Sequence, residues 1–176
     1  MSIFNVSIYI ETTIKGPRAG MAAGAWLVEY ITGKEVPETR SGFLWREETT
    51  ENALTLELLA AAFSILTRTC SVRVNTQCEH VLNATEKKKD GPDERSWLER
   101  WRGNGWMNAK GLPVKNAGLW QQVSGQMSRH LVAFDFGDHP YRRVMQSEIN
   151  RVLRKEKERG AGRSGGKEKD GKHTNH

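Results

Sequence analysis

From Phe4 onward apolar side chains alternate with polar ones: Phe4, Val6, Ile8 and Ile10 on one side, Asn5, Ser7, Tyr9 and Glu11 on the other. A period of two belongs to a strand, whose successive side chains point to opposite faces. Glu11 therefore ends the first strand on its polar side. Lys15-Gly16-Pro17-Arg18 reads as a turn, and two apolar runs follow, Ala25 to Ile31 and Ser41 to Trp45, separated by Thr32-Gly33-Lys34 and Pro37. Together they predict three antiparallel strands in a meander.

The period then changes. Leu54, Leu58, Ala61, Ala62, Ile65 and Leu66 recur at helical spacing, which predicts a helix from Asn52 to about Thr67, with Thr50 or Asn52 accepting from the free amides at its start. Cys70 to Thr76 reads as a strand, and strand, helix and strand in this succession imply a crossover with parallel pairing. A short helix is expected from Gln77 to Ala84, and a charged surface loop from Glu86 to Arg95. Helices follow at Ser96 to Arg102 and Asn116 to Met127, then a strand at Leu131 to Phe136 and a closing helix at Tyr141 to Lys157. The expectation is an α/β fold with a mixed sheet in one domain, residues 1–158, and a disordered basic tail, 159–176, whose Gly, Lys and Ser content supports no burial.

Composition narrows the partners. Across 176 residues, Lys and Arg outnumber Asp and Glu by 27 to 21, a formal charge of +6 that favours a polyanion such as nucleic acid. Two cysteines, an N-terminus without the pattern of a signal peptide, and no apolar run near the ~20 residues of a membrane span point to a cytoplasmic protein with no membrane partner. A monomer is expected.

The most informative stretch is Trp97-Leu-Glu-Arg-Trp101-Arg-Gly-Asn-Gly-Trp106, followed by Pro113-Val114-Lys115-Asn116-Ala-Gly-Leu119-Trp120. It resembles the Trp-rich basic handle of the type 1 ribonucleases H, W-x3-W-x4-W and then P-V-K-N-x-x-L-W, with the handle spanning about residues 96–120. Thr49-Thr50-Glu51-Asn52 resembles that family's T-T-x-N, and Asn75-Thr76-Gln77-Cys78-Glu79-His80-Val81 its T-D-S-x-x-V. The resemblance covers about residues 4 to 153. It implies a ribonuclease-H-like fold, a five-stranded mixed sheet flanked by helices. It also implies a hydrolase activity, Mg²⁺- or Mn²⁺-dependent endonucleolytic cleavage of the RNA strand of an RNA/DNA hybrid. Clustered carboxylates would hold two cations ~4 Å apart.

Residue by residue, the catalytic positions are depleted. Glu11 stands at the family's first Asp, with one more methylene. A gapless match places Thr55 at the helix Glu, while Glu57 lies two residues on, about 200° around the helix. Gln77 stands at the Asp of T-D-S. Gln146 is the best match to the last Asp, with Ser147 and Glu148 as alternatives, and His139 resembles the family's loop histidine. Only Glu11 is acidic, and it is the one metal ligand expected.

For nucleic-acid binding the resemblance implies Thr50, Asn52, Trp97, Trp106, Lys115 and Asn116. Thr50 and Asn52 are equally ordinary helix-start residues, and Trp101 and Trp120 have the spacing of core residues. Three functions remain: a pseudoenzyme that binds an RNA/DNA hybrid or related duplex with hydrolysis weak or lost; an active ribonuclease H with a metal site rearranged around Glu11, Glu57 being one substitute ligand; or a protein-interaction scaffold without catalysis.

Overall fold

A computed structural model describes residues 4–31, 33–89 and 91–162. Strands β1 (Phe4–Thr12), β2 (Gly20–Ile31) and β3 (Pro37–Thr49) form the antiparallel meander. Helix α1 (Glu51–Ser64) crosses over to β4 (Cys70–Asn75), and α2 (Glu79–Thr85), α3 (Trp97–Gly103), α4 (Ala117–Met127), β5 (Leu131–Asp135) and α5 (Arg142–Gly162) complete the chain. The sheet order is β3-β2-β1-β4-β5, with β4 parallel to both β1 and β5. This is the expected five-stranded mixed sheet.

Two apolar clusters cover its two faces. Val6, Ile8, Ile10, Trp26 and Val28 face Leu54, Leu58 and Leu59 of α1, with Trp120 and Val123 of α4 in the same cluster. On the other face Ala23, Ala25 and Leu27 meet Met145 and Ile149 of α5. With helices on both sides, β2 is buried almost continuously instead of alternating. Gly24 permits the close approach of α1: a Cβ there would lie 2.6 Å from Leu58 Cδ1 and 3.1 Å from the Glu11 carbonyl oxygen.

Several expectations shift. β3 runs well beyond Ser41–Trp45, because an edge strand carries polar residues such as Glu38, Arg40 and Arg46 without loss. Thr50, not Asn52, caps α1, accepting from the Ala53 amide at 3.2 Å. α5 continues to Gly162, past the expected end at Lys157, and residues 163–176 of the expected tail lie outside the described residues. Glu11, assigned to a polar face, is 1% exposed because α5 covers that face. Among the described residues no helix is long and apolar enough to cross a membrane.

Candidate functional site

Glu11 lies near the end of β1, paired with Ala25 of β2, and its side chain is fully buried. A buried carboxylate is costly unless its oxygens are bonded, and here both are. Gln146, in the second turn of α5, donates from Nε2 to Glu11 Oε1 at 2.6 Å. His139 Nε2 lies 2.7 Å from Glu11 Oε2. The other ring nitrogen, Nδ1, accepts the Tyr141 amide at 3.3 Å, so a neutral imidazole protonated on Nε2 satisfies both contacts. The His139 ring stacks on Tyr9, centroids 4.5 Å apart, which fixes its plane. Arg142, the first residue of α5, brings its Nε to 3.7 Å from Glu11 Oε1 and supplies the compensating charge.

Three of the expected positions therefore meet: Glu11, His139 and Gln146. Sequence reasoning missed Arg142. A cation at the start of the last helix was the available clue, but nothing marked which way it would turn.

Thr55 and Gln77 do not complete an acidic cluster. Thr55 is buried in α1 beside Cys78, whose thiol is pushed up chiefly by burial. That thiol also donates to Asn52 Oδ1 at 3.2 Å, so Asn52 is engaged inside the fold. Gln77 spends its amide on the loop after β5: Nε2 donates to the Gly137 carbonyl at 3.0 Å, and Oε1 accepts the Gly137 amide at 2.9 Å. Glu57 is taken by Arg46 of β3 at 3.1 Å and does not join Glu11.

This donor set does not fit a pair of divalent cations. Such ions need several anionic oxygens, and Glu11 is the one carboxylate in a cluster whose other members are a guanidinium, an amide nitrogen and an imidazole N–H. Among the described residues no group of three or more His, Cys, Asp or Glu side chains is placed to hold a metal.

The Trp-rich segment is built differently. Ser96 and Glu99 form a reciprocal cap that starts α3, with Ser96 N to Glu99 Oε1 at 2.8 Å and Glu99 N to Ser96 Oγ at 3.1 Å. Trp120 is fully buried, Trp101 packs edge-on against it with centroids 5.6 Å apart, and His80 stacks on Trp101 at 6.3 Å. Trp97 is 37% exposed, with Lys88 Nζ 4.6 Å from its ring centre. Trp106, expected at the surface, is half-buried against the main core at a positive φ of 64°. Lys115 is exposed, and its charge helps burial to depress the His80 imidazole. Asn116 precedes α4 at φ 61°, a left-handed conformation that Asn tolerates, and its side chain makes no capping bond.

No family model matches the chain. Curated relatives do. The chain is 32% identical over 133 residues to ribonuclease HI of Pseudomonas aeruginosa, covering 74% of this chain and 78% of that one. It is 32% identical over 133 residues to ribonuclease H of Stutzerimonas stutzeri, covering 74% and 77%. For ribonuclease H of Clostridium botulinum the identity is 29% over 129 residues, covering 73% and 79%.

Among solved structures, LC9-RNase H1, described as a type 1 RNase H with the type 2 active-site motif, superposes with a TM-score of 0.64 at 18% identity, covering 97% of this chain and 77% of that one. A foamy viral protease-reverse transcriptase in complex with dsDNA gives a TM-score of 0.54 at 12% identity, covering 85% and 90%. These two likenesses establish the shared fold, and the identity to the curated enzymes goes further: this chain belongs to the ribonuclease H family.

Proposed function

We propose that the chain holds an RNA/DNA hybrid or a related nucleic-acid duplex without hydrolysing it. The observation that carries this reading is the capture of Glu11. The one carboxylate at the family's acidic positions has both oxygens bonded by protein groups, and Thr55, Gln77 and Gln146 contribute no charge beside it. Hydrolysis by this family's chemistry needs a metal-activated water, and the site offers no set of ligands to hold the metal. The handle, by contrast, keeps its means of contact. Lys115 presents an exposed ammonium, Trp97 a partly exposed ring with Lys88 over it, and Thr50 and Asn116 lie at the starts of α1 and α4. Foamy viral relatives of the same fold were solved with dsDNA and with an RNA/DNA hybrid, which supports a duplex as the ligand class.

The test pairs binding with cleavage. Purified chain is incubated with an end-labelled hybrid in Mn²⁺, beside a Glu11→Gln control, and binding is followed by anisotropy for the parent, Lys115→Ala and Trp97→Ala. Intact RNA, with binding weakened in both handle variants, is expected. Cleavage that disappears in Glu11→Gln overturns the loss of hydrolysis. Binding that is absent, or unchanged in the handle variants, overturns the duplex role and favours a protein-interaction scaffold.

A further inference from the structure

β5 ends the sheet. It is hydrogen-bonded to β4 on one side, and among the described residues no strand pairs with its other side. Such an edge presents alternate unpaired N–H and C=O groups, a template on which an extended chain can add. The residues flanking it are apolar and open: Leu131 is 62% exposed and Phe136 68%, the two most exposed of the large hydrophobic side chains described.

A groove of about 620 Å³ runs between this edge and α2, walled by Leu82, Val132, Phe134 and Phe136, with Glu79 and Glu86 at its acidic side. Glu79 and Leu82, three apart, share one face of α2, and Glu86, the extended residue that ends the helix, lines the same groove. Neither carboxylate has a hydrogen bond or ion pair among the described residues. Two neighbouring lysines are committed elsewhere, Lys87 to Glu99 at 3.1 Å, and Lys88 to the Trp97 ring and the Asn83 carbonyl.

We infer that the β5 edge is a docking site for an extended, lysine- or arginine-bearing segment of a partner protein, added as a sixth strand. Side chains of such a strand alternate between the sheet faces. Those on the α2 side would lay their methylenes over Leu82, Phe134 and Phe136 and carry their cationic heads to Glu79 and Glu86. In a chain of net charge +6, an unpaired acidic pair beside an apolar groove selects a basic ligand and repels a phosphate backbone, which sets this surface apart from the proposed duplex face. Other occupants fit less well. The chain's own C-terminal residues are basic, but after Ala161 they include no apolar anchor. A second copy paired edge to edge would bring two acidic grooves together on the same side of the joined sheet.

The full chain is titrated with a blocked peptide of alternating lysine and valine, with a counterpart carrying glutamate for lysine as control, and hydrogen exchange of the β5 amides is followed alongside. The lysine peptide is expected to bind and to protect outward-facing amides of Leu131–Asp135. Affinity should fall about tenfold in the Glu79→Lys/Glu86→Lys double variant, the scale of losing two partly exposed charge pairs. Both substitutions are at exposed positions, and circular dichroism verifies that the variant folds. Absence of binding, equal affinity for the double variant or the glutamate peptide, or protection confined to other elements overturns the inference. A dimer of the free chain with β5 already protected overturns it in favour of a second copy.

Discussion

Gln146 donates a hydrogen bond of 2.6 Å to Glu11, and by resemblance to the family it is the best match to the last carboxylate. An amide facing Glu11 differs from a carboxylate in what the pair can do. Two facing carboxylates repel and are stabilised by a cation between them, whereas a carboxylate and an amide satisfy one another. Together with His139 and Arg142, Gln146 makes the end of β1 a clamp that joins β1 to α5.

The clamp predicts the behaviour of Gln146→Glu. The variant loses a buried hydrogen bond and sets a like charge beside Glu11, at a cost of about 3 kcal/mol in the absence of divalent cations. Urea melts measure it. Millimolar Mn²⁺ should leave the parent midpoint unmoved and raise that of the variant, since only the variant gains a second anionic ligand. A parent whose midpoint rises with Mn²⁺ would contradict the clamp.

Much of the fold was readable from periodicity, and the reasons it was not fully readable are local. β1 announces itself because its alternate residues are buried in the main apolar cluster, and α1 because its apolar residues recur at helical spacing, although burial extends around most of that helix. β3 was underestimated because an edge strand exposes residues such as Glu38 and Arg40, which remove the alternation. The burial of Glu11 was not legible, because a period of two places it on the polar side of β1 without saying what covers that side. Here α5, more than a hundred residues away in sequence, covers the second face. At the site, Glu11, His139 and Gln146 could be aligned from family order, but the bonds among them depend on rotamers and on the stacking of Tyr9, which no spacing encodes.

Lys115 offers a test of how a duplex would be held. An exposed ammonium that meets one phosphate releases about one counterion, so Lys115→Ala should lower affinity across sequences alike and reduce the log–log salt slope by about 1. Anisotropy titrations of a hybrid at several salt concentrations give both quantities. A variant that loses affinity with an unchanged slope would assign Lys115 a structural role instead.

His130 sets an acid limit on stability. Its Nδ1 accepts the Cys70 amide at 3.0 Å and its ring stacks on Phe63, while burial, and then the charge of Arg129, hold its pKa below the ordinary 6.5. His80 is depressed in the same direction by burial and Lys115. For a depressed histidine the unfolded chain takes up the proton first. The contribution is thus complete above pH 6.5 and declines as pH falls from there toward the folded-state values. Urea midpoints should be lower near pH 5.5 than near pH 7.5, and part of that difference should vanish in His130→Asn. Equal midpoints at the two values would refute the assignment.

Tyr141 sets the corresponding alkaline limit. Its hydroxyl donates a short hydrogen bond to Glu29 Oε2 of β2, and that bond, followed by burial and the glutamate's charge, pushes the phenol from 10.0 up to about 12. The neutral phenol is the form the fold favours. Its contribution is complete below pH 10.0 and is lost as pH rises through about 12, when the unfolded chain has already released the proton. A phenolate absorbance titration should show a step delayed to about 12 that is missing in Tyr141→Phe. Glu29→Gln removes the anionic acceptor and should bring that step down toward 10.0. Because Tyr141 immediately precedes α5 and its amide holds His139 Nδ1, the same variant should also loosen the Glu11 clamp, read as faster hydrogen exchange in the first turn of α5. A delayed step that persists in Glu29→Gln would show that burial, not the glutamate, holds the proton.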